Sequence, residues 1–309
     1  MKTCLKLKIF SVSMLLVLAM LLATIPNASA LTIVRDFISD GNLFPTIGVT
    51  AGSAPGNAAG GGNLVGVFDA AADWWEMAIL DPHTVTIHFG WAALGGSTLG
   101  VHNFLVGADA DGGGPLPFRE TEATIRFDND GSSVFFVDPT PHEDEEYTTF
   151  TETFADLGGG SINTGRVFTG PTGDAIGRTD LLTVAKHEVG HALGLSSGNI
   201  SFITENGNGQ IDVIGPRPFA GTVIPTISGA HLDIGNSFSG SLMFPSISSS
   251  IRKIQAGVDI LANAEIQDFN NINLNPAHAV PEPSTILLFS ISILAVFGYG
   301  WQRRKQLTG

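Results

Sequence analysis

The chain has 309 residues, with 15 basic and 29 acidic side chains, a formal net charge of −14 and a hydrophobic fraction of 43%. This composition can build a buried core, and its acidic surface repels nucleic acid phosphates, so we expect no nucleic acid partner. Cys4 is the single cysteine. A disulfide framework and a thiolate metal site are therefore excluded, and a metal would have to be bound by His, Asp or Glu.

The first 30 residues predict a secretory signal peptide. Three lysines within the first eight residues precede an apolar core at 9–22, and Ala28-Ser29-Ala30 is a typical small-residue cleavage site. We therefore expect the mature chain to begin at Leu31.

The mature chain is expected to open with a strand and a low-complexity segment. Residues 31–38 predict the strand, and the Gly/Ala-rich residues 51–62 predict a flexible loop or linker. Apolar side chains then recur every three or four positions over 63–80, which predicts a helix packed on one face. The members of this face are Val65, Phe68, Ala72, Trp75 and Ile79. We expect Trp74, like Trp75, to lie in the core.

Strands follow the first helix. Alternation over 84–91 predicts a strand with one apolar face, and places His88 on the other face as a surface or hydrogen-bonded residue rather than a ligand. Residues 121–127 and 133–137 predict a hairpin, because the Asp-Asn-Asp-Gly sequence between them is a strong turn signal.

Two loops carry oxygen-bearing side chains of the kind that calcium prefers. Asp109 and Asp111 precede three glycines, and a second loop has such side chains at alternate positions, at Asn206, Asn208, Gln210 and Asp212. Both loops lack the bidentate Glu at the twelfth position of an EF-hand. Ca²⁺ binding is thus one interpretation, and ordinary turn chemistry of Asp, Asn and Gly is the one we favour.

The sequence TVAKHEVGHALGL at 183–195 carries the main chemical signal. His187 and His191 are four residues apart, so on a helix both imidazoles project from one face and can bind one metal ion. Glu188 is turned about 100° from His187, which keeps it outside the coordination sphere but close enough to hold a metal-bound water. This spacing is typical of a zinc protease.

Neighbouring residues predict how this helix is held. Thr179 or Asp180 can cap its start, and an apolar stripe opposite the histidines is expected to pack into the core. The stripe consists of Leu182, Ala185, Val189 and Ala192. Gly190 would cost about 1 kcal/mol in a helix relative to Ala, which predicts close approach by another segment. Gly194 stands where a left-handed residue would end the helix.

The residues His187, Glu188, His191 and Gly194 resemble the metzincin clan of zinc metalloproteases, whose motif runs His-Glu-x-x-His-x-x-Gly-x-x-His. The resemblance implies an α+β fold with a twisted mixed sheet, an active-site helix and a smaller irregular C-terminal subdomain. The chain departs from this motif at Ser197, where the third histidine is expected.

The sequence Ser-Leu-Met-Phe-Pro at 241–245 resembles the Met-turn of the same clan. The resemblance implies that Met243 forms an apolar floor under the histidines without binding the metal. It also implies one catalytic Zn²⁺, with Glu188 as the general base. Pro245 stands where some metzincins bring a tyrosine to the metal.

Catalytic zinc normally takes three protein ligands, so a further ligand is required. His231 is the best candidate, since it lies between the motif glycine and the Met-turn. Leishmanolysin-like metzincins carry an insertion before the third histidine, and residues 195–230 would be its equivalent here. Asp233 and then Glu205 are the alternatives.

Beyond the Met-turn, apolar spacing over 251–269 predicts a C-terminal helix. We expect a metalloprotease domain over 63–270, preceded by the N-terminal strand and flexible segment at 31–62. Residues 271–280 are polar and contain a proline, which predicts a linker.

The last 29 residues, 281–309, predict a sorting tail. Pro-Glu-Pro is followed by an apolar run at 286–301 and a basic end, an order that resembles the PEP-CTERM sorting signal of Gram-negative bacteria. The resemblance implies export to the cell envelope, cell surface or extracellular matrix, and processing by exosortase-type machinery. The apolar run and its flanks are long enough to hold the tail in the membrane before processing.

Together these features predict an exported zinc metalloendopeptidase acting on protein or peptide substrates. An extended substrate could pair with the edge strand of the sheet; residues 133–137 are one candidate for that strand. The alternative is an inactive structural or adhesive envelope module that retains the fold. The presence of Glu188 beside both histidines favours the enzyme, because a structural metal site needs no base.

Overall fold

The computed structural model describes residues 30–110, 117–227, 229–233, 235 and 238–276. Up to Leu274 they belong to one compact unit. Four α-helices occur among these residues: α1 Leu64–Ala78, α2 Leu181–Ala192, α3 Ile200–Glu205 and α4 Gly257–Gln267. The strands are β1 Leu31–Phe37, β2 His83–Ala92, β3 Gly100–Asp109, β4 Phe118–Asp128, β5 Phe135–Phe136, β6 Tyr147–Asp156, β7 Ser161–Pro171, β8 Thr179–Asp180, β9 Gln210–Asp212, β10 Val223–Ile227, β11 His231–Leu232 and β12 Arg252–Ile254. The described part of the chain is therefore mixed α+β, as predicted.

The largest sheet has the strand order β1-β2-β4-β3. Strands β1, β2 and β4 run parallel, whereas β3 runs antiparallel to β4 and forms an edge of the sheet. The β3–β4 register shifts twice between Phe104 and Gly107, which marks a β-bulge that bends the edge strand. Three smaller sheets have the orders β11-β10-β9, β12-β7-β6 and β5-β8.

Strand β2 has the predicted alternation. Val85, Ile87 and Phe89 are fully buried on one face. His88, on the other face, contacts Asp36 with Nδ1 at 2.6 Å and Glu122 with Nε2 at 3.0 Å. It is a hydrogen-bonded residue of the sheet, as expected.

The predicted hairpin of 121–127 with 133–137 is wrong. Strand β4 pairs antiparallel with β3, while the short β5 pairs in parallel with β8. The reason lies at the turn, where the Asp128 carboxylate accepts hydrogen bonds from the backbone N–H groups of Leu94 and Asp130. These bonds redirect the chain out of the sheet instead of back along β4.

Helix α1 begins after Asn63, whose side chain accepts a hydrogen bond from Gly66 N. Trp74 and Trp75 are buried, as predicted, and Phe68 stacks on Phe89 of β2 with ring centroids 3.8 Å apart. Val65, predicted on the packed face, is 38% exposed, so the buried face starts with Leu64 and Val67 instead.

The segment 51–62, predicted to be flexible, is tied to the sheet region by backbone hydrogen bonds. Gly52 N donates to Trp91 O at 2.9 Å, and Ala59 exchanges hydrogen bonds with Phe135 and Val137. A Cβ at Gly62 would lie 2.1 Å from the Asp138 carbonyl oxygen, so glycine is needed for this close packing. The segment therefore lies in the same compact unit as the predicted catalytic domain.

The predicted helix over 251–269 is shorter than expected. Its first residues form β12, which pairs antiparallel with β7, and only Gly257–Gln267 is helical. The buried Arg252 explains the difference, because its guanidinium forms ion pairs with Asp138 and Asp180. A strand conformation lets this side chain reach both carboxylates.

Within the described residues, no helix has the length and apolar character needed to cross a membrane. The predicted sorting tail lies outside the described residues, as does the predicted signal peptide except for Ala30.

Candidate metal centre

Helix α2 carries the main candidate residues and is buried along its whole length. Asp180 is its N-cap: the carboxylate accepts hydrogen bonds from Thr183 N at 3.0 Å and from Thr183 Oγ1 at 2.6 Å. The predicted apolar stripe is buried. Beyond the helix, Gly194 has a φ of +136°, and a Cβ there would lie 2.8 Å from Gln267. The predicted need for glycine at this position is confirmed.

His187 and His191 direct one nitrogen each into a common space. His187 Nδ1 lies 2.7 Å from Leu242 O, and His191 Nδ1 lies 2.5 Å from Leu195 O. A carbonyl oxygen can only accept, so both Nδ1 atoms carry a proton. Burial lowers the pKa of His187 to about 3 and that of His191 well below its usual range, so both rings are neutral. Each Nε2 therefore presents a lone pair.

These two lone pairs meet at short range. The Nε2 atoms of His187 and His191 are 3.1 Å apart, and His187 Nε2 lies 3.2 Å from His231 Nε2. All three ligand atoms are within 4.8 Å of one another. Two lone pairs at this distance repel one another, and a cation held by both nitrogens would remove that repulsion.

The spacing fits zinc. Tetrahedral zinc with nitrogen ligands at about 2.0–2.1 Å places those nitrogens roughly 3.3–3.4 Å apart, close to the two distances above. The donor set of three imidazoles is also one that zinc prefers, and it leaves a fourth position open. The residues present therefore fit the metal that the sequence implies, and their role as ligands stays a prediction.

His231 reaches this group from a distant part of the chain. It begins β11, which pairs with β10, and Leu232 N donates to Met243 O at 3.1 Å. Ala230, just before it, has a φ of +58°, a turn that aims the histidine at α2. The structure brings neither alternative ligand into the group: Asp233 lies outside it, and Glu205 accepts a hydrogen bond from Asp212 N.

Glu188 lies between the two helix histidines in sequence and lines the same cavity. Its side chain is buried, and this desolvation raises its pKa to about 8 in the metal-free protein, while a polar contact from the His102 backbone acts in the opposite direction. Strand β3 passes directly over it: a Cβ at Gly100 would lie 2.8 Å from Glu188 Cγ and 2.9 Å from Oε1.

Met243 packs against helix α2 at Gly190. It is fully buried, and a Cβ at Gly190 would come within 2.5 Å of its sulfur, so the predicted close approach at Gly190 is confirmed. The buried Asp259 of α4 holds this turn, accepting from Leu242 N and Met243 N at 3.0 Å each and from the Ser241 hydroxyl.

The four candidate side chains open into a cavity of about 600 Å³. Edge strand β3 forms one wall with Gly100, Val101 and His102, and residues 245–247 form another part of the lining. Ser197, which replaces the expected third histidine, also lines the cavity. Residues 133–137, one candidate for the substrate-pairing edge, do not line this cavity, and β5 lies between β8 and Ala59. The edge strand at this site is β3.

Two residues near this site, His102 and Glu120, have no functional signal in the local sequence. His102 of β3 lines the cavity, and its Nε2 lies 2.7 Å from Oε2 of the buried Glu120 of β4. The apolar residues around His102 do not alternate, so the sequence gives only a weak strand signal there. No pattern in the residues around His102 predicts its contact with Glu120, which lies 18 positions later in the sequence.

In the loop at 206–212, for which calcium binding is one interpretation of the sequence, side-chain oxygen atoms accept hydrogen bonds from neighbouring residues. The Asp212 carboxylate accepts from the side-chain amides of Asn208 at 3.1 Å and Gln210 at 2.6 Å. These bonds are the turn chemistry that the sequence analysis favoured. In the first loop, Asp111 lies outside the described residues.

Comparison with known proteins supports the sorting tail. A family model described as the PEP-CTERM protein-sorting motif matches residues 279–305. This motif indicates an exported protein that is sorted to the cell envelope of Gram-negative-type bacteria and recognised by exosortase-type machinery. No curated protein matches the chain, and no solved structure matches it.

Proposed function

We propose that this protein is an exported zinc-dependent endopeptidase of metzincin type. The observation that carries the proposal is the convergence of His187 Nε2, His191 Nε2 and His231 Nε2, two of them with lone pairs only 3.1 Å apart. Buried imidazoles whose other nitrogens donate to backbone carbonyls are the arrangement that binds zinc in proteins.

The chain supplies both the metal ligands and a base. Zinc, when bound, lowers the pKa of water towards about 7 and polarises a substrate carbonyl. Glu188 accepts the proton of the attacking water and then donates it to the leaving amine. Its position supports this role, because the carboxyl group lines the same cavity as the three histidines.

Edge strand β3 supports a peptide as the substrate. Its unpaired side borders the cavity at residues 100–102, so an extended chain can add to the sheet there through backbone hydrogen bonds. Such pairing would place a peptide bond beside Glu188. Among the described residues that line the cavity, the charged or titratable side chains are Glu188 and the histidines. This lining favours recognition of the substrate's backbone over recognition of one charged substrate side chain.

The test is to purify the protein with zinc, measure its metal content and assay cleavage of casein and gelatin. We expect one zinc ion per chain and cleavage of unfolded protein. Glu188→Ala should retain zinc and lose activity by roughly 10²–10⁴-fold. Glu205→Ala is the matched control, since Glu205 bonds to Asp212 N outside the cavity, and it should cleave like the wild type.

A different result would support the alternative function. A wild type that binds one zinc ion per chain but cleaves none of a varied set of proteins and peptides would favour a structural or adhesive envelope module.

A further inference from the structure

Strand β3 is positioned unusually closely over the proposed base. The missing side chain of Gly100 makes room for Glu188, whose Cγ and Oε1 occupy the space that a Cβ would need. The backbone of His102, two residues on, also interacts with the Glu188 carboxylate. The path of β3 over residues 100–102 therefore sets where this carboxylate can lie.

That path is bent, and one side-chain contact spans the bend. In the β3–β4 ladder His102 is opposite Ile125, whereas Glu120 is opposite Gly107. The two register shifts lie between these positions. The 2.7 Å contact between His102 Nε2 and Glu120 Oε2 thus joins two points of the sheet on either side of the bulge.

This pair is buried. The side chain of Glu120 is fully shielded and that of His102 is 5% exposed. Burying a histidine and a carboxylate costs stability unless their geometry is well matched, so packing alone does not account for this pair. The chemistry assigned above to zinc and Glu188 does not use either residue.

We propose that Glu120 and His102 are a positioning pair for Glu188. The hydrogen bond between them fixes the bulge of β3, and the fixed strand holds the carboxylate of Glu188 at the open side of the three histidines. This inference rests on the proposed function. His102 and Glu120 are positioning residues, since they act through β3 and not on the reacting atoms.

The test compares Glu120→Ala and Glu120→Gln in the purified, zinc-loaded protein. We expect Glu120→Ala to keep one zinc ion and to lower kcat by roughly 10–100-fold, because a shift of about 1 Å at a reacting group has effects of this size. KM should change by less than about twofold, since substrate contacts remain. Glu120→Gln should recover most of kcat, because its amide oxygen can still accept from His102.

The chain offers a matched control on the same strand. Glu122 is two residues from Glu120 and also contacts a histidine, His88, at 3.0 Å, but neither residue lines the cavity. Glu122→Ala should leave kcat unchanged. The Glu120 carboxylate also forms a hydrogen bond with the Asn199 side chain. A His102→Phe variant should reproduce the loss of kcat in Glu120→Ala, and the double variant should be no worse than Glu120→Ala, because both substitutions remove the His102–Glu120 contact.

Hydrogen–deuterium exchange of the metal-free protein gives a readout that does not depend on activity. Loss of the pair should speed amide exchange in β3 for Glu120→Ala but not for Glu122→Ala. An unchanged exchange rate in β3, or an unchanged kcat in a cleaving Glu120→Ala protein, would overturn this inference alone. A change confined to KM would also overturn it, since it would mark His102 as a substrate contact. If the wild-type protein cleaves nothing, that result overturns the proposed function, and with it this inference, which rests on that function.

Discussion

Gly190 lies against the sulfur of Met243, so closely that a Cβ at position 190 would be 2.5 Å from Sδ and 3.0 Å from Trp75 Cζ2. Alanine is the better helix former by about 1 kcal/mol, yet this clash is with fully buried groups. We expect Gly190→Ala to lower the free energy of unfolding by about 1–3 kcal/mol, as overpacking of a core does. Urea unfolding of the metal-free protein measures this change.

Gly66 provides the control for Gly190, because it also lies inside a helix. A Cβ at Gly66 would meet only Asn63, at 3.7 Å, which is an ordinary contact. Gly66→Ala should therefore stabilise the protein by up to about 1 kcal/mol. If Gly190→Ala and Gly66→Ala raised the free energy of unfolding by the same amount, that result would contradict the close approach of Met243 to Gly190.

Asp259 is fully buried and accepts hydrogen bonds from the turn at Ser241, Leu242 and Met243, next to the candidate metal centre. Asp259→Asn would turn an NH₂ group towards backbone N–H donors, leaving buried donors without acceptors. We expect a loss of about 2–4 kcal/mol in unfolding free energy. Zinc affinity should fall as well, because the held Leu242 is also the residue whose carbonyl orients His187.

The control for Asp259 is Asp81, which accepts from the backbone N–H groups of Asn270 and Asn271 at an exposed site. Asp81→Asn should cost less than about 1 kcal/mol and leave zinc binding unchanged, because water can replace the lost acceptor. Zinc affinity equal to wild type in Asp259→Asn would show that the turn does not orient His187.

His231 is predicted to be the third zinc ligand. Removing it should weaken zinc binding by more than about 100-fold, because loss of a residue that merely supports a ligand already costs about 10–100-fold. Competition with a chromophoric chelator measures the affinity. His88→Ala, at a histidine held by Asp36 and Glu122 outside the cavity, should bind zinc like the wild type.

Asp233→Ala separates the two candidate ligands in the β11 region. If Asp233 were the ligand instead, its removal would weaken zinc binding while His231→Ala would have little effect. The geometry predicts that His231→Ala weakens zinc binding and that Asp233→Ala does not. The reason is that His231, unlike Asp233, places a ligand atom beside those of His187 and His191 on α2.

Glu188 should give the metal-free protein a characteristic pH dependence. Burial raises its pKa from 4.5 to about 8 in the folded state. The folded protein then holds a proton that the unfolded chain releases, so this contribution to stability is present below about pH 4.5 and is lost as the pH rises towards 8. The loss amounts to roughly 5 kcal/mol at most.

Urea unfolding between pH 4.5 and 8 tests this, with Glu188→Gln as the reference. His187 and His191 act with the opposite sign, because their lowered pKa values make stability rise with pH up to about 6.5, and they are present in both proteins. The free energy of unfolding of the wild type minus that of Glu188→Gln should therefore fall as the pH rises from 4.5 to 8. A constant difference would show that Glu188 titrates normally.

Much of the metal centre could be predicted from local sequence. The spacing of His187, Glu188 and His191 is a property of one helix turn, so the helix alone decides that both imidazoles share a face. The same holds for the cap at Asp180 and for the glycines at 190 and 194. Local periodicity also predicted the buried faces of β2 and most of α1.

Long-range relationships were predicted less well. The partner of β4 was misassigned because a strong turn signal does not say where the chain goes after the turn. Local periodicity predicts a helix at Arg252, but buried carboxylates at Asp138 and Asp180, far away in sequence, favour a strand there. The pairing of His102 with Glu120 had no local signal at all.

The sequence by itself determined that His187 and His191 share one face of a helix with Glu188 between them, and that residues 279–305 carry a motif for sorting to the envelope. Only the tertiary structure decided that His231, and not the alternatives Asp233 and Glu205, lies with them. The same is true of β3 as the edge over Glu188 and of the contact between its His102 and Glu120. The reason is physical. Spacing along a helix is set by backbone geometry, whereas contacts between distant segments are set by the packing of the whole core.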